Sequence, residues 1–350
     1  MTSHQRRDGN DLCLAPDPHP TGPTRYRVPE GAIDTHAHVI GAPPGYPYVP
    51  DRSYTPHAAS AQTYLAMLDA TGMAKGVLVQ VSVHGTDNRL LVETLRAHPE
   101  RLRGIAVIPL GLPDRDLAEL SEAGVRGLRL NVLFGGGVGL DRLDDYGALA
   151  REMGWHLQFL LDARDLAENA PRIARLPVPV VVDHMGHMPT LAGVDHPGFQ
   201  ALLGLVRDGG WVKMSGAFRT SVEGPPYRDT IPYARALNAA APDRCIWGSD
   251  WPHVSQYERA PKTGELLDLL ANGFRTRNAA GCSSSTTRGV STDFPVVDQR
   301  GISTPLANCS TCSRPPSAPT TSPTPAMDGQ REKTLEPERA IADRQLGCDR

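Results

Sequence analysis

The 350-residue sequence has no apolar run approaching the roughly 18 residues of a membrane span, so no transmembrane helix is expected. It also lacks charge of one dominant sign. Lysine and arginine number 36 against 39 acidic residues, a formal net charge of -3, which argues against nucleic acid or another polyanion as partner. Arg6 and Arg7 are followed by "DGNDLCLAPDPHP" where a signal peptide would need an apolar stretch. Cysteines are few and badly placed for a disulfide framework: Cys13 and Cys245 stand alone, and the other four fall after residue 271. The expectation is a cytoplasmic protein that handles small molecules, with no membrane and no nucleic acid among its partners.

What the sequence does have is rhythm. Between about residues 31 and 271, apolar or β-branched runs recur: "AIDTHAHVI", "KGVLVQVS", "LRGIAVIPL", "VRGLRLNVLF", "HLQFLLDA", "PVVVDHMG", "WVKMSGAF" and "CIWGSDW". Stretches with helical spacing lie between them, such as "NRLLVETLRAHP", "DRDLAELSEAG", "YGALAREMG" and "PGFQALLGLVRDGG". Eight strand-like runs, each apolar on both faces and alternating with helices, predict a (β/α)8 TIM-like barrel over residues 29–271. A doubly wound open sheet is the alternative, but its Gly-rich first turn is replaced here by histidines. Residues 1–28 are expected to be a flexible N-terminal segment.

Barrels of this kind place their chemistry at the C-terminal ends of the strands. The first run ends on Asp34, His36 and His38, which strict alternation would turn to one face. The second ends on Ser82 and His84, the fourth on Arg129 and Asn131, and the sixth on Asp183 and His184. The seventh offers Ser215 and Arg219, and the eighth Asp250, Trp251 and His253. Ionisable groups gathering at one end of several separate strands point to catalysis rather than packing. Asp250 suits a general base. His36, His38 and His184 suit either carbonyl polarisation or metal ligation. Asp34 is expected to orient the histidine pair, and Arg129 to grip a substrate carboxylate. Core histidines and a barrel-mouth salt bridge are the structural alternatives.

Taken in order, "IDTHAH", "QVSVHGTDN", "GLRLN", "VVDHMGH" and "IWGSDWPH" resemble the amidohydrolase superfamily. Within it they resemble the amidohydrolase-related branch that includes 2-pyrone-4,6-dicarboxylate lactonase. The resemblance spans roughly residues 29–271 and implies a distorted barrel that hydrolyses a lactone or similar cyclic ester, often in aromatic catabolism. It implies His36, His38, His184 and Asp250 as the active-site set, and Ser82, Arg129, Tyr54 and Arg219 as substrate contacts. His253, beside Asp250, is added to the contacts. Three positions depart from the lactonase pattern. "FGGG" (134–137) stands where a second basic residue follows the strand-four arginine, Leu160 replaces a tyrosine, and His187 replaces an arginine. A ring with one carboxylate is therefore expected rather than a dicarboxylate. No cofactor is expected to be required. If a divalent metal such as zinc is bound, His36, His38, His184 and Asp250 are its expected ligands. A zinc-dependent decarboxylase and a non-catalytic truncated paralogue are the rival readings.

After residue 271 the rhythm stops and a Ser/Thr/Pro-rich tail follows (272–350). Shifting the reading frame near Asn272 allows "GFRTRNAAGCSSSTTRGVSTDF" to be reread as "LPDEERRRLLLVDNPGRLYGF". That string is an amphipathic helix with the ending such family members carry. The tail is therefore expected to be out of frame and disordered.

Overall fold

The computed structural model describes residues 11–272. Eight short strands run in one direction: β1 (Ile33–Ala37), β2 (Lys75–Val79), β3 (Leu102–Ala106), β4 (Val125–Asn131), β5 (His156–Leu160), β6 (Val180–Val182), β7 (Trp211–Lys213) and β8 (Cys245–Ile246). Each pairs in parallel with the next, in chain order. The last strand meets the first through backbone hydrogen bonds from Thr35 N to Trp247 O (3.1 Å) and from Asp250 N to His36 O (2.8 Å). The expected TIM-type barrel is thereby closed.

Parallel neighbours need crossovers rather than hairpins. The crossovers carry helices α1 (Ala61–Thr71), α2 (Arg89–Ala97), α3 (Asp114–Ala123), α4 (Leu143–Met153), α5 (Leu166–Ala174), α6 (Pro197–Arg207), the single turn α7 (Ala217–Thr220) and α8 (Ile231–Ala240). A short α9 (Thr263–Asp268) follows β8. Local chemistry sets several of these boundaries. Ser60 Oγ accepts the Thr63 N–H to cap α1, and Asp114 and Asp116 place negative charge in the first turn of α3. Outward strand residues such as Leu157 and Phe159 join the helix-backed core. Two small clusters contain strand side chains alone, Val77–Val79–Ile105 and Val181–Trp211–Ile246. They fill the barrel's own interior, as its geometry requires.

The N-terminal segment differs from the expectation of a flexible 1–28. From residue 11 on it is tied to the barrel. Cys13 N donates to Thr55 O (2.8 Å) and Leu14 N to Gln256 O (2.7 Å). The Asp268 carboxylate at the end of α9 accepts from the backbone of Thr24 (3.0 Å), Arg25 (2.6 Å) and Tyr26 (2.9 Å). The sequence showed no strand or helix there, and irregular backbone satisfied by a distant carboxylate leaves no periodic signal. The tail expected to be out of frame and disordered (272–350) lies outside the described residues, apart from Asn272 itself.

Candidate active site

The first strand does not alternate strictly. Asp34 pairs with Gly76 but Ala37 with Leu78, so one extra residue sits in β1. Asp34 therefore does not share a face with the histidines. Its carboxylate accepts from Tyr64 Oη of α1 (3.1 Å) and from Ser249 N (2.7 Å) and Oγ (2.6 Å). It also accepts the His36 backbone N–H (3.1 Å), so it ties the loop after β8 to the His36 backbone rather than to an imidazole ring. Burial pushes its pKa up to about 6 against those hydrogen bonds.

His36, His38, His184 and Asp250 do converge, across more than two hundred residues of sequence. Asp250 Oδ1 lies 3.9 Å from His36 Nε2 and 3.6 Å from His38 Nε2, and its Oδ2 lies 3.7 Å from His184 Nε2. All four side chains are buried. Close packing is permitted by two glycines. A Cβ on Gly248 would stand 2.6 Å from His36 Cβ, and one on Gly216 would stand 2.8 Å from His184 Cβ. Backbone strain gathers here as well: His184, Met185, His187, Asp250 and His253 all have φ between 50° and 63°. Such conformations persist where the surrounding structure over-determines them, as at working sites.

Asp250 Oδ2 accepts from Arg219 Nε, while Oδ1 has no hydrogen bond. Burial alone would raise the carboxyl pKa, but Arg219 and then His184 hold it well below the ordinary range. The imidazoles shift the other way. Burial keeps His38 neutral and pushes His184 to about 4. His38 Nδ1 faces Val79 O at 2.8 Å. A carbonyl only accepts, so Nδ1 carries the proton and Nε2 presents a lone pair towards Asp250.

Beneath this group lies a second one that sequence reasoning underused. Asp183 Oδ2 accepts from Gln158 Nε2 (3.0 Å) and stands 3.3 Å from Arg129 Nε, while Oδ1 stands 3.4 Å from Lys213 Nζ. Asp183 was placed at a strand end without a role, and Lys213 and Gln158 were missed. A signal existed. Lys213 sits two residues before Ser215, hence on the inward face of β7, where a lysine is expensive to bury without partners.

The expected substrate contacts divide. Tyr54 Oη and Ser82 Oγ are hydrogen-bonded at 2.8 Å, and Tyr54 meets Phe134 of the "FGGG" loop edge-on at 5.7 Å. His84, which shared the second strand's end in the sequence, turns away to accept from Gly41 N (3.2 Å). Arg219 is committed to Asp250 and to Val254 O rather than free in the mouth. His253 is buried against Phe218, and burial pushes it to about 4.

His36, His184 and Asp250 offer ligand atoms within 4.8 Å of one another and could hold a divalent ion by position; His38 stands beside this trio. The charges around it are close to balance before any ion arrives, with Arg129, Lys213 and Arg219 set against Asp183, Asp250 and, nearby, Asp34.

Comparison with known proteins places the chain among amidohydrolases. A 2-pyrone-4,6-dicarboxylate hydrolase of Comamonas testosteroni is 36% identical over 70% of this chain and 85% of that protein. A 4-sulfomuconolactone hydrolase of Rhizobium radiobacter is 37% identical over 72% and 86%. The crystal structure of a probable 2-pyrone-4,6-dicarboxylic acid hydrolase from Acinetobacter baumannii, with citric acid bound, superposes with a TM-score of 0.62. It is 27% identical and covers 68% of this chain and 90% of that one. The Amidohydro_2 family model (amidohydrolase) matches residues 33–278, and the chain belongs to that amidohydrolase family.

Proposed function

We propose that this amidohydrolase opens a lactone that carries a carboxylate, with Asp250 as general base and no metal in the reaction. One observation carries the reading: Asp250 Oδ1 is buried, ionised and unbonded, and it faces the lone pair of His38 at 3.6 Å. Two acceptors facing one space suit a water that donates a hydrogen to each. Asp250 takes the proton as the water oxygen bonds to the lactone carbonyl carbon. His36 and His184, across from the base, are placed to donate to the carbonyl oxygen as it gains charge. When the ring C–O bond breaks, the leaving oxygen recovers the proton from Asp250. The products are a hydroxyl and a carboxylic acid on one open chain, and the acid releases its proton to solvent at neutral pH.

Arg129 supports an acidic substrate, since a guanidinium can grip a carboxylate at two points. The relatives' named substrates, a pyrone dicarboxylate and a sulfomuconolactone, are acidic lactones, and the Acinetobacter protein holds a tricarboxylic acid. Phe134 of the "FGGG" stretch and His187, whose rings stand 6.2 Å apart, belong to the places where the lactonase pattern carries further basic residues and this chain departs from it. One carboxylate is the better match. A diffusible acid of this size fits action in the cytoplasm, and no helix among the described residues is long and apolar enough to cross a membrane.

Acid release, followed by titration, from 2-pyrone-4,6-dicarboxylate, 4-sulfomuconolactone and a monocarboxylated lactone tests this function. Turnover is expected on acidic lactones, fastest with one carboxylate. A folded protein that hydrolyses none of them would sink the reading. Zinc-dependent release of carbon dioxide would instead favour a decarboxylase built on the His36–His184–Asp250 trio.

A further inference from the structure

We infer that Lys213 is a positioning residue that fixes His36 as the tautomer protonated on Nε2, so that this imidazole can only donate into the site. A lysine ammonium has three hydrogens and accepts nothing. Lys213 Nζ has three acceptors around it: Gln158 Oε1 at 2.7 Å, Thr35 O at 2.9 Å and His36 Nδ1 at 3.1 Å. The match uses every hydrogen and leaves His36 Nδ1 as a lone pair. His36 is wholly buried. A neutral imidazole with Nδ1 accepting must carry its proton on Nε2.

The competing arrangement is visible too. Asp183 Oδ1 lies 3.3 Å from the same His36 nitrogen and would stabilise the opposite tautomer. That oxygen nevertheless receives no hydrogen bond, whereas Lys213 Nζ is hydrogen-bonded to the nitrogen at 3.1 Å. His36 Nε2 is likewise buried with no partner. An unsatisfied donor is costly to bury and has an explanation if a substrate oxygen takes its hydrogen. Asp183 does something else, because together with Gln158 it holds the ammonium in place and balances its charge.

The consequence is a division of labour between two neighbouring histidines. The Val79 carbonyl makes His38 an acceptor at Nε2, and Lys213 makes His36 a donor at Nε2. One side of the site then receives the water's hydrogen while the other stabilises negative oxygen. The role of this donor rests on the hydrolytic reading above. The tautomer does not, and it is measured without any substrate.

Histidine labelled with nitrogen-15 reports the protonated ring nitrogen through long-range proton–nitrogen correlation, with the His36 signals assigned by their loss in His36→Gln. The wild-type protein is expected to show His36 protonated on Nε2. Lys213→Met should move the proton to Nδ1, towards Asp183, whereas Asp183→Asn should leave it on Nε2. On whichever lactone is turned over, Lys213→Met should lower kcat by about 10²–10³-fold, the loss typical of one oxyanion donor, with little change in KM. A wild-type His36 protonated on Nδ1 overturns the inference by itself, even if Lys213→Met fails to fold. So does a folded Lys213→Met protein whose His36 tautomer is unchanged. An enzyme that opens no lactone but shows the expected tautomers would defeat the proposed function and leave the Lys213 assignment standing.

Discussion

Asp183 and Asp250 are the same residue type, fully buried, each at the mouth end of its strand run, and each held well below the ordinary carboxylate pKa. Their neighbours make them different groups. Asp183 is enclosed by two cations, Lys213 at 3.4 Å from Oδ1 and Arg129 at 3.3 Å from Oδ2, and Gln158 donates to Oδ2. Asp250 has one cation, Arg219, on Oδ2, and its Oδ1 meets only neutral imidazoles. A buried carboxylate surrounded by cations is a strut. One with a single cation behind it and an open oxygen in front is ionised and still able to accept a proton.

The sharpest way to break this comparison is to remove the base. Asp250→Asn keeps an oxygen for Arg219 but loses the proton acceptor, so kcat should fall about 10²–10⁴-fold with folding retained. Near-normal turnover of a confirmed lactone substrate would show that another group activates water. The corresponding change at the strut should act on stability. Asp183→Ala leaves Lys213 and Arg129 buried without their counter-charge, at a cost of about 3–5 kcal/mol in urea unfolding. A loss below about 1 kcal/mol would mean that the enclosure is not structural.

Arg129 tests the outward side of the strut. Arg129→Met should raise KM for a carboxylated lactone about 10–100-fold, the equivalent of one charged hydrogen-bonding contact, while the neutral ester of the same lactone is little affected. Equal effects on both would assign Arg129 to Asp183 alone.

Acid sharpens the comparison further, because the imidazoles facing Asp250 are buried neutral. His184 and His253 are pushed by burial to about 4, and His156, by burial and then by Lys213, to about 3. In the unfolded chain each titrates near 6.5. Between that value and its folded pKa, the unfolded state binds the extra proton and the folded state does not, so stability falls as pH falls. Each histidine contributes up to about 1.4 kcal/mol per pH unit in that window. Asp34, raised to about 6, works in the opposite direction but is a single group. Urea midpoints should therefore drop from pH 7 to pH 5, and His156→Asn should flatten the slope. Identical midpoints at the two pH values would contradict buried neutral histidines. The smallest expected effect is that of a chelator: exhaustive dialysis against EDTA should leave lactone turnover unchanged, and a loss restored by zinc would put a metal in the trio.

Much of the barrel was legible because its signals are local. Val180–Val182 reads as a strand buried on both faces, and "DRDLAELSEAG" as an amphipathic crossover helix, from neighbours in sequence alone. His36, His38, His184 and Asp250 were legible for a related reason, since each closes a recognisable strand run. Asp34 was misread because alternation assumes an unbroken register, and one inserted residue in β1 turned it towards Tyr64. Lys213 was overlooked inside a run that otherwise reads as apolar.

The sequence by itself determined the barrel, its mouth and the residue types gathered there, because periods of 2 and 3.6 are properties of short segments. Only the tertiary structure decided who partners whom. Arg219 faces Asp250 across 31 residues, and Lys213 reaches Thr35 across 178. Periodicity tells which side of a strand a residue occupies, but not which distant strand supplies its counter-charge. That pairing separates the strut from the base, since burial leaves each charge dependent on the few groups within about 4 Å.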